Sequence, residues 1–365
     1  MSSMTRNAAR AGAAYVRQRE GKMYPHITYP EAIVVGLIQG VTELFPISSL
    51  GHNVLIPALI GGSWAKDLDV SESESPYLAF IVGMHVATAI AMITYFWRDW
   101  VRIVKGFFAS IAHVIRPAPG TNRWAPQDTD QTMAWMIILA TIPVGIAGLA
   151  LEHDFRVYFS RPILTGLFLA LNGVILLAGD QARKRRIALD QRQSATDRAA
   201  ADEELAMVPK GGGRHAAGQR ALKEQEASLS IQSDRRLTQM GWLSAVGLGA
   251  MQIFALLPGI SRDGIVMVTG MFRGLSRQDA ARFSFLLSAP VILAAGVLKI
   301  PDLTGPLGNG VRGQVLVGSI VSGVGAYLAL RFFVRWISDS SRTLAPFAIY
   351  CLVVGIGSAI YLAVR

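Results

Sequence analysis

The chain has 365 residues, of which 52% are hydrophobic and 16% charged, with a formal net charge of +10. Soluble proteins of this size carry about a quarter charged residues, so the composition excludes an ordinary soluble domain. The basic excess does not call for nucleic acid, because Lys and Arg gather in loops beside apolar runs, as the positive-inside rule expects.

Residues 1–27 form a polar tail with Arg6, Arg10, Arg17, Arg19 and Lys22. It has no apolar core and so is unlike a cleavable signal peptide, which leaves targeting to the first hydrophobic segment. That segment, Glu31 to Phe45, is too short to span, at roughly 22 Å of helix. Pro46 stops it by removing a backbone donor, and a second apolar piece, 54–60, leads back to Gly61 and Gly62. The stretch 28–62 therefore reads as a re-entrant hairpin, broken backbone that a membrane tolerates only beside protein or water.

Runs at 77–97, 131–151 and 162–179 approach or exceed the ~20 residues of a transmembrane helix and complete a first repeat, 28–182. Residues 183–236 carry twelve Lys/Arg and eight Asp/Glu around "KGGGR". That composition predicts a disordered cytoplasmic loop, with a short helix near "DEELAM". A second hairpin, 241–273, breaks at Pro258 and Gly259 and has the polar tip "SRDG". Runs at 283–300, 313–330 and 344–364 complete a second repeat, 237–365. The single cysteine, Cys351, allows neither a disulfide within the chain nor a cysteine metal site.

The expected fold is an all-α polytopic membrane protein with six full transmembrane helices and two re-entrant hairpins in an inverted-topology repeat. Laid over each other without gaps, 36–51 and 249–264 agree at six of sixteen positions, including Gly36/Gly249, Gln39/Gln252, Ser48/Ser261 and Gly51/Gly264. Three spans between the hairpins make them enter from opposite sides and meet near the midplane, where such folds build their site. The basic loops 98–130, 183–236 and 331–343 share one side and should be cytoplasmic. Both termini then lie outside, an awkward place for the basic tail.

Chemistry concentrates in "GVTELFPISSLGH" and "LLPGISRDG". Gln39 and Glu43 are four apart and share a helix face. A carboxylate in an apolar segment costs a few kcal/mol and marks function by default. Ser48 or Ser49 lies one turn from His52, although such serines also cap helices. Arg262 offers a planar fork suited to phosphate, beside Ser261 and the amides of a helix start. It could instead pair with Asp263 or Glu43. "SRQD", 276–279, reads as helix initiation, and His85 either lines the cavity or bonds a carbonyl.

At these residues the chain resembles the bacitracin-resistance type undecaprenyl-diphosphatases. "QGVTELFPISSLGH" is similar to that family's first signature and "LLPGISRDG" to its second, while "YFWRDW", "TIPVGIAGL", "GLSRQDAARFSFLLSAP" and "FAIYCLVVG" also match. The resemblance implies a multi-pass bacterial plasma-membrane phosphatase. It would act on undecaprenyl diphosphate, recycling the lipid carrier for peptidoglycan from a site facing the outer side. Carried over by position, Glu43, Ser48, Ser49, His52 and Arg262 are catalytic, and Arg262, Ser261, Gly259 and Gly264 bind the diphosphate. Glu43 and Gln39 hold a divalent cation, Mg²⁺ or Ca²⁺. Its partners would be the polyprenyl diphosphate and the membrane, not nucleic acid, with the oligomeric state left open, a homodimer included. Asp263, Val266 and His85 stand where the family usually has Ser, Thr and Gln. Those departures keep a divergent lipid-binding paralogue in play, and the repeat keeps a polyprenyl-phosphate flippase.

Overall fold

A computed structural model describes residues 27–68, 76–204, 232–304, 311–339 and 341–365, and every regular element among them is helical. The targeting expectation for residues 1–26 and the middle of the charged segment, 205–231, lie outside the described residues.

Helix α1, Tyr29–Leu44, opens with a capping box: the Thr28 side chain accepts from Glu31 N, and the Glu31 carboxylate accepts from Thr28 N at 2.8 Å. It stops at Phe45, before Pro46, and α2, Ser49–Ile60, turns back after three residues of turn. A short α3, Gly62–Asp67, follows. Helix α4, Pro76–Tyr95, meets α5, Trp97–Ile115, at a bend of 87°. Then come α6, Thr129–Phe159, and α7, Pro162–Glu204. Helix α8, Gln232–Thr238, bends by 93° into the second broken element. This comprises α9, Trp242–Ala250, a 3₁₀ turn over Met251–Leu256, and α10, Arg262–Phe272. Helices α11, Arg277–Thr304, α12, Arg312–Ser338, and α13, Ala345–Val364, close the described chain.

Five of these helices contain stretches long and apolar enough to cross a membrane: Thr129–Leu151, Pro162–Arg185, Arg277–Leu298, Arg312–Ser338 and Ala345–Val364. Counting each bent pair as one more crossing raises the number to seven. Length and composition thus make this a multi-pass membrane protein.

All three segments expected as basic loops are partly helix among the described residues, and residues 331–338 of the last belong to α12. Residues 97–115 of the first form α5, which buries Ile103, Gly106 and Ser110 and exposes Val101, Val104, Phe108 and Ile111. That is an amphipathic pattern, masked in sequence by Arg98, Arg102 and Lys105. The charged segment likewise begins as helix, since α7 continues past residue 182 to Glu204 through an Ala-rich stretch of good helix formers. At its other end α8 is anchored: Asp234 is fully buried and pairs with Arg102 at 2.7 Å and with Arg282. Arg102 also reaches Asp99 at 2.8 Å and Asp130 at 3.0 Å, so one ionic cluster pins the residues beside both bends.

Glycine lets the broken elements lie close to their neighbours. A methyl group on Gly36 or Gly40 of α1 would strike the Gly318 or Ser322 carbonyl of α12, and one on Gly249 of α9 would strike the Ala140 carbonyl of α6. Small residues at helix seams supply this close packing inside membranes, where apolar lipid weakens the hydrophobic drive. Gly166 and Gly355 form a similar seam between α7 and α13. An aromatic core of Phe45, Phe285, Phe333 and Phe347 fills the space below the first tip.

Removing one member of a buried charge cluster leaves its partners uncompensated. Asp234→Ala should therefore lower unfolding stability by on the order of 3 kcal/mol, read as a fall in melting temperature in detergent relative to Arg235→Ala at the exposed neighbouring position.

Candidate active site

The two breaks meet. Ser48 is the N-cap of α2 and accepts from Gly51 N at 3.2 Å; Ser261 is the N-cap of α10 and accepts from Gly264 N at 3.1 Å. The same cap thus recurs at aligned positions. Ser48 Oγ also accepts from Gly259 N, across the tips, at 3.1 Å. A Cβ on Gly51 would come within 2.9 Å of Gly259 Cα, and one on Gly264 within 3.3 Å of Pro46 Cβ. Gly259 has φ +114°, and a Cβ there would sit 2.6 Å from the Thr165 carbonyl, so both conformation and space require glycine. Ser48 has φ +66°, the one non-glycine residue with positive φ among the described residues. Held strain of this kind gathers at functional sites.

Asn172 of α7 clamps both tips. Its Nδ2 donates to the Pro46 carbonyl at 2.8 Å, and its Oδ1 accepts from Ser261 N at 3.0 Å. One polar residue in the apolar "LFLALNGVILLAG" is a visible signal, because such a residue must find partners inside.

Between the tips lies Glu43, 7% exposed. Arg262 donates to its Oε1, while Oε2 accepts from Ser49 Oγ and, at 2.9 Å, from Gln39 Nε2. His85 Nε2 stands 3.4 Å from Oε2, and its Nδ1 lies 2.9 Å from the Ile81 carbonyl. Of the two alternatives for His85, the carbonyl bond forms, and the other ring nitrogen faces the acidic group. Gln39 turns its amide oxygen away, to accept from Asn53 Nδ2 at 2.6 Å. Arg262 Nε is buried with no acceptor, leaving the guanidinium an unused donor beside the tip.

Of the pairings open to Arg262, the one with Glu43 forms. Asp263 turns instead into the helix packing, where Oδ1 accepts from Ser284 and Ser288 at 2.7 Å each. Val266 is buried in a cluster with Phe283, Leu286 and Leu287, so its side chain belongs to the core. In "SRQD", Ser276 accepts from Asp279 N at 3.0 Å, as helix initiation requires, while the Asp279 carboxylate binds Ser233 and Arg236.

The two serines and His52 do not form one hydrogen-bonded group. Ser48 accepts two amide hydrogens, whereas Ser49 gives its hydrogen to Glu43. His52 bonds the Ser48 carbonyl through Nδ1 at 2.7 Å and the Tyr350 hydroxyl through Nε2 at 2.8 Å. Asn53 and Tyr350 are not legible as site residues in the sequence, because each reaches the site only through tertiary packing.

For a divalent cation, no group of three or more His, Cys, Asp or Glu stands placed to hold a metal ion among the described residues. Glu43 supplies a carboxylate, but the Gln39 oxygen is committed to Asn53. Mg²⁺ commonly takes one or two carboxylates together with substrate phosphates, so the donor set fits a cation that shares its ligands with a diphosphate.

A family model described as bacitracin resistance protein BacA matches residues 32–208 and 212–357. An undecaprenyl-diphosphatase of Mycolicibacterium paratuberculosis is 53% identical over 94% of this chain and 100% of its own length. Undecaprenyl-diphosphatase 2 of Frankia alni is 46% identical over 90% of this chain and 96% of its own. An undecaprenyl-diphosphatase of Granulibacter bethesdensis is 32% identical over 91% and 96%.

Replacing Asn172 by Ala leaves two buried backbone groups unpaired, at about 1–3 kcal/mol each. Asn172→Ala should lower the melting temperature and cut activity at least about tenfold, whereas Asn122→Ala, in an exposed turn, should change neither.

Proposed function

The chain belongs to the bacitracin resistance protein BacA family, and on that premise we propose how its site works. The protein is an integral membrane phosphatase that hydrolyses undecaprenyl diphosphate to undecaprenyl phosphate and inorganic phosphate. The reaction regenerates the lipid carrier for peptidoglycan synthesis and underlies bacitracin resistance. The observation that carries the site assignment is the Arg262–Glu43–Ser49 array between the two tips, with Arg262 Nε still free to donate.

The diphosphate enters between the tips while the prenyl chain stays in lipid. Arg262 turns its fork to the phosphate oxygens, joined by the first amides of α10, which lack partners within the helix. The Ser261 cap and the glycines at 259 and 264 keep backbone close to that anion. Ser49 is the attacking group, because its hydrogen already rests on Glu43 and it accepts no hydrogen bond among the described residues. Its oxygen bonds to the terminal phosphorus as the bond to the bridging oxygen breaks. The proton passes to Glu43 and undecaprenyl phosphate leaves; water then bonds to phosphorus as the bond to the serine oxygen breaks, and that oxygen takes its proton back from Glu43 as phosphate departs. Ser48, with both lone pairs taken by amides, shapes the tip. His52 does not attack, since both ring nitrogens are engaged; it gives a proton from Nε2 to the departing undecaprenyl phosphate and regains one from the water of the second step. His85 balances Glu43 while Arg262 is on the substrate.

Glu43 is the residue that would hold Mg²⁺ or Ca²⁺, shared with the diphosphate. When bound, such a cation neutralises charge developing on the transferred group.

In the membrane, α1/α2 and α9/α10 are the re-entrant hairpins, and α4, α6, α7, α11, α12 and α13 are the six spans. Two repeats, 28–182 and 237–365, flank the charged segment. Reciprocal packing supports an inverted relation: Gly36 lies against α12 and its aligned partner Gly249 against α6. The basic segments 98–130 and 331–343 favour a cytoplasmic face there, with the tips open to the outer side.

Fixed charges and dipoles aimed at the charge that develops in the transition state supply most of the rate acceleration in sites of this kind. Arg262→Ala, Glu43→Ala and Ser49→Ala should each lower phosphate release from C55 diphosphate by at least ~10²-fold. Arg262→Lys should not restore it, because an ammonium lacks the fork. Wild-type rates in all of these would overturn the assignment, and lipid transport without phosphate release in detergent would favour a flippase. EDTA should abolish phosphate release by the wild-type protein, and added Mg²⁺ or Ca²⁺ should restore it.

A further inference from the structure

His52 is 3% exposed and has two partners of different kinds. The Ser48 carbonyl, 2.7 Å from Nδ1, can only accept, so Nδ1 carries a hydrogen. Nε2 is then the only nitrogen that can gain or lose a proton. It faces the Tyr350 hydroxyl at 2.8 Å, from a helix 298 residues further along the chain. A hydroxyl both donates and accepts. It can give its hydrogen to a bare Nε2 or accept from Nε2–H, by rotating about the C–O bond while both rings stay in place. The rings are stacked, 5.7 Å between centroids and 8° from parallel, which fixes the imidazole further.

Tyr350 also sits at a boundary. It is 40% exposed, and Ile349, Val353, Ile356 and Ile360 of the same helix are exposed apolar residues. One side of its ring therefore belongs to the lipid-facing surface of α13, while its hydroxyl reaches a buried imidazole. Packing alone would be served as well by Phe, so the hydroxyl marks a polar task.

We propose that Tyr350 is a positioning residue for His52, holding the imidazole through Nε2 in both protonation states and closing its lipid-side flank. The proposal rests on the reading that His52 carries a proton in the reaction. Tyr350 keeps its own hydrogen throughout.

Three measurements on the full-length protein in detergent test it. The ¹⁵N spectrum of histidine-labelled wild type, with His52 assigned by loss of its signals in His52→Gln, should show hydrogen on Nδ1 and a hydrogen-bonded Nε2. In Tyr350→Phe the Nε2 signal should move while the Nδ1–H signal stays. Kinetically, Tyr350→Phe should lower kcat about tenfold, the scale of one lost positioning hydrogen bond. KM should stay within about twofold. A wild-type spectrum with hydrogen on Nε2 alone would overturn the proposal, even if the Phe variant failed to fold. So would wild-type kcat in Tyr350→Phe while His52→Ala is inactive. Wild-type activity in His52→Ala would overturn the role of His52 itself, and the positioning role with it.

Discussion

An ion pair between two chain breaks organises this protein. Glu43 ends one broken helix and Arg262 begins another, and each charge is costly in an apolar interior unless a counter-charge stands beside it. To bring them together, each helix breaks at a proline and presses its tip against its counterpart. The glycines at 51, 259 and 264 admit that contact, and Asn172 satisfies backbone from both sides of it. The ionic cluster around Asp234 sits apart and pins the bent helices that frame the hairpins.

The site has two flanks with different chemistry. One gathers Glu43, Arg262, Ser49, Gln39 and His85 into a charge-balanced array. The other holds His52 between a carbonyl and a phenol. Ser48 and Ser49, adjacent in sequence, divide the labour because Ser48 adopts a positive φ and points into the tip, while Ser49 starts the helix and reaches Glu43. Two neighbouring hydroxyls that sequence cannot rank are separated by one backbone dihedral.

Much of this is legible in the sequence. Proline within short apolar runs marks both breaks, and polar residues in an apolar setting mark Glu43, His52 and Arg262. What escapes is whatever depends on long-range packing. Residues 97–115 and 183–204 are rich enough in charge to read as loop, yet amphipathic spacing in one and helix propensity in the other carry them as helix. Asp234 sits in a segment that looks solvated because its partners, Arg102 and Arg282, lie far away in sequence. The spacing of Gln39 to Glu43 puts both on one helix face and the family resemblance makes them cation ligands, but the orientation of the Gln39 amide is set by Asn53. Tyr350 has no local signal; only the fold brings α13 to His52.

The span between Glu43 and Arg262, 219 residues, has a consequence for biogenesis. A chain threaded into the bilayer from its amino end delivers the acid long before its counter-ion has been translated. Until then the first break has Ser49, Gln39 and His85 around its acid, but neither the guanidinium nor the Gly259 amide that closes its tip. Insertion of the late half is therefore what locks the early half, and a truncated product lacking it would display an unseated hairpin for quality-control proteases to recognise.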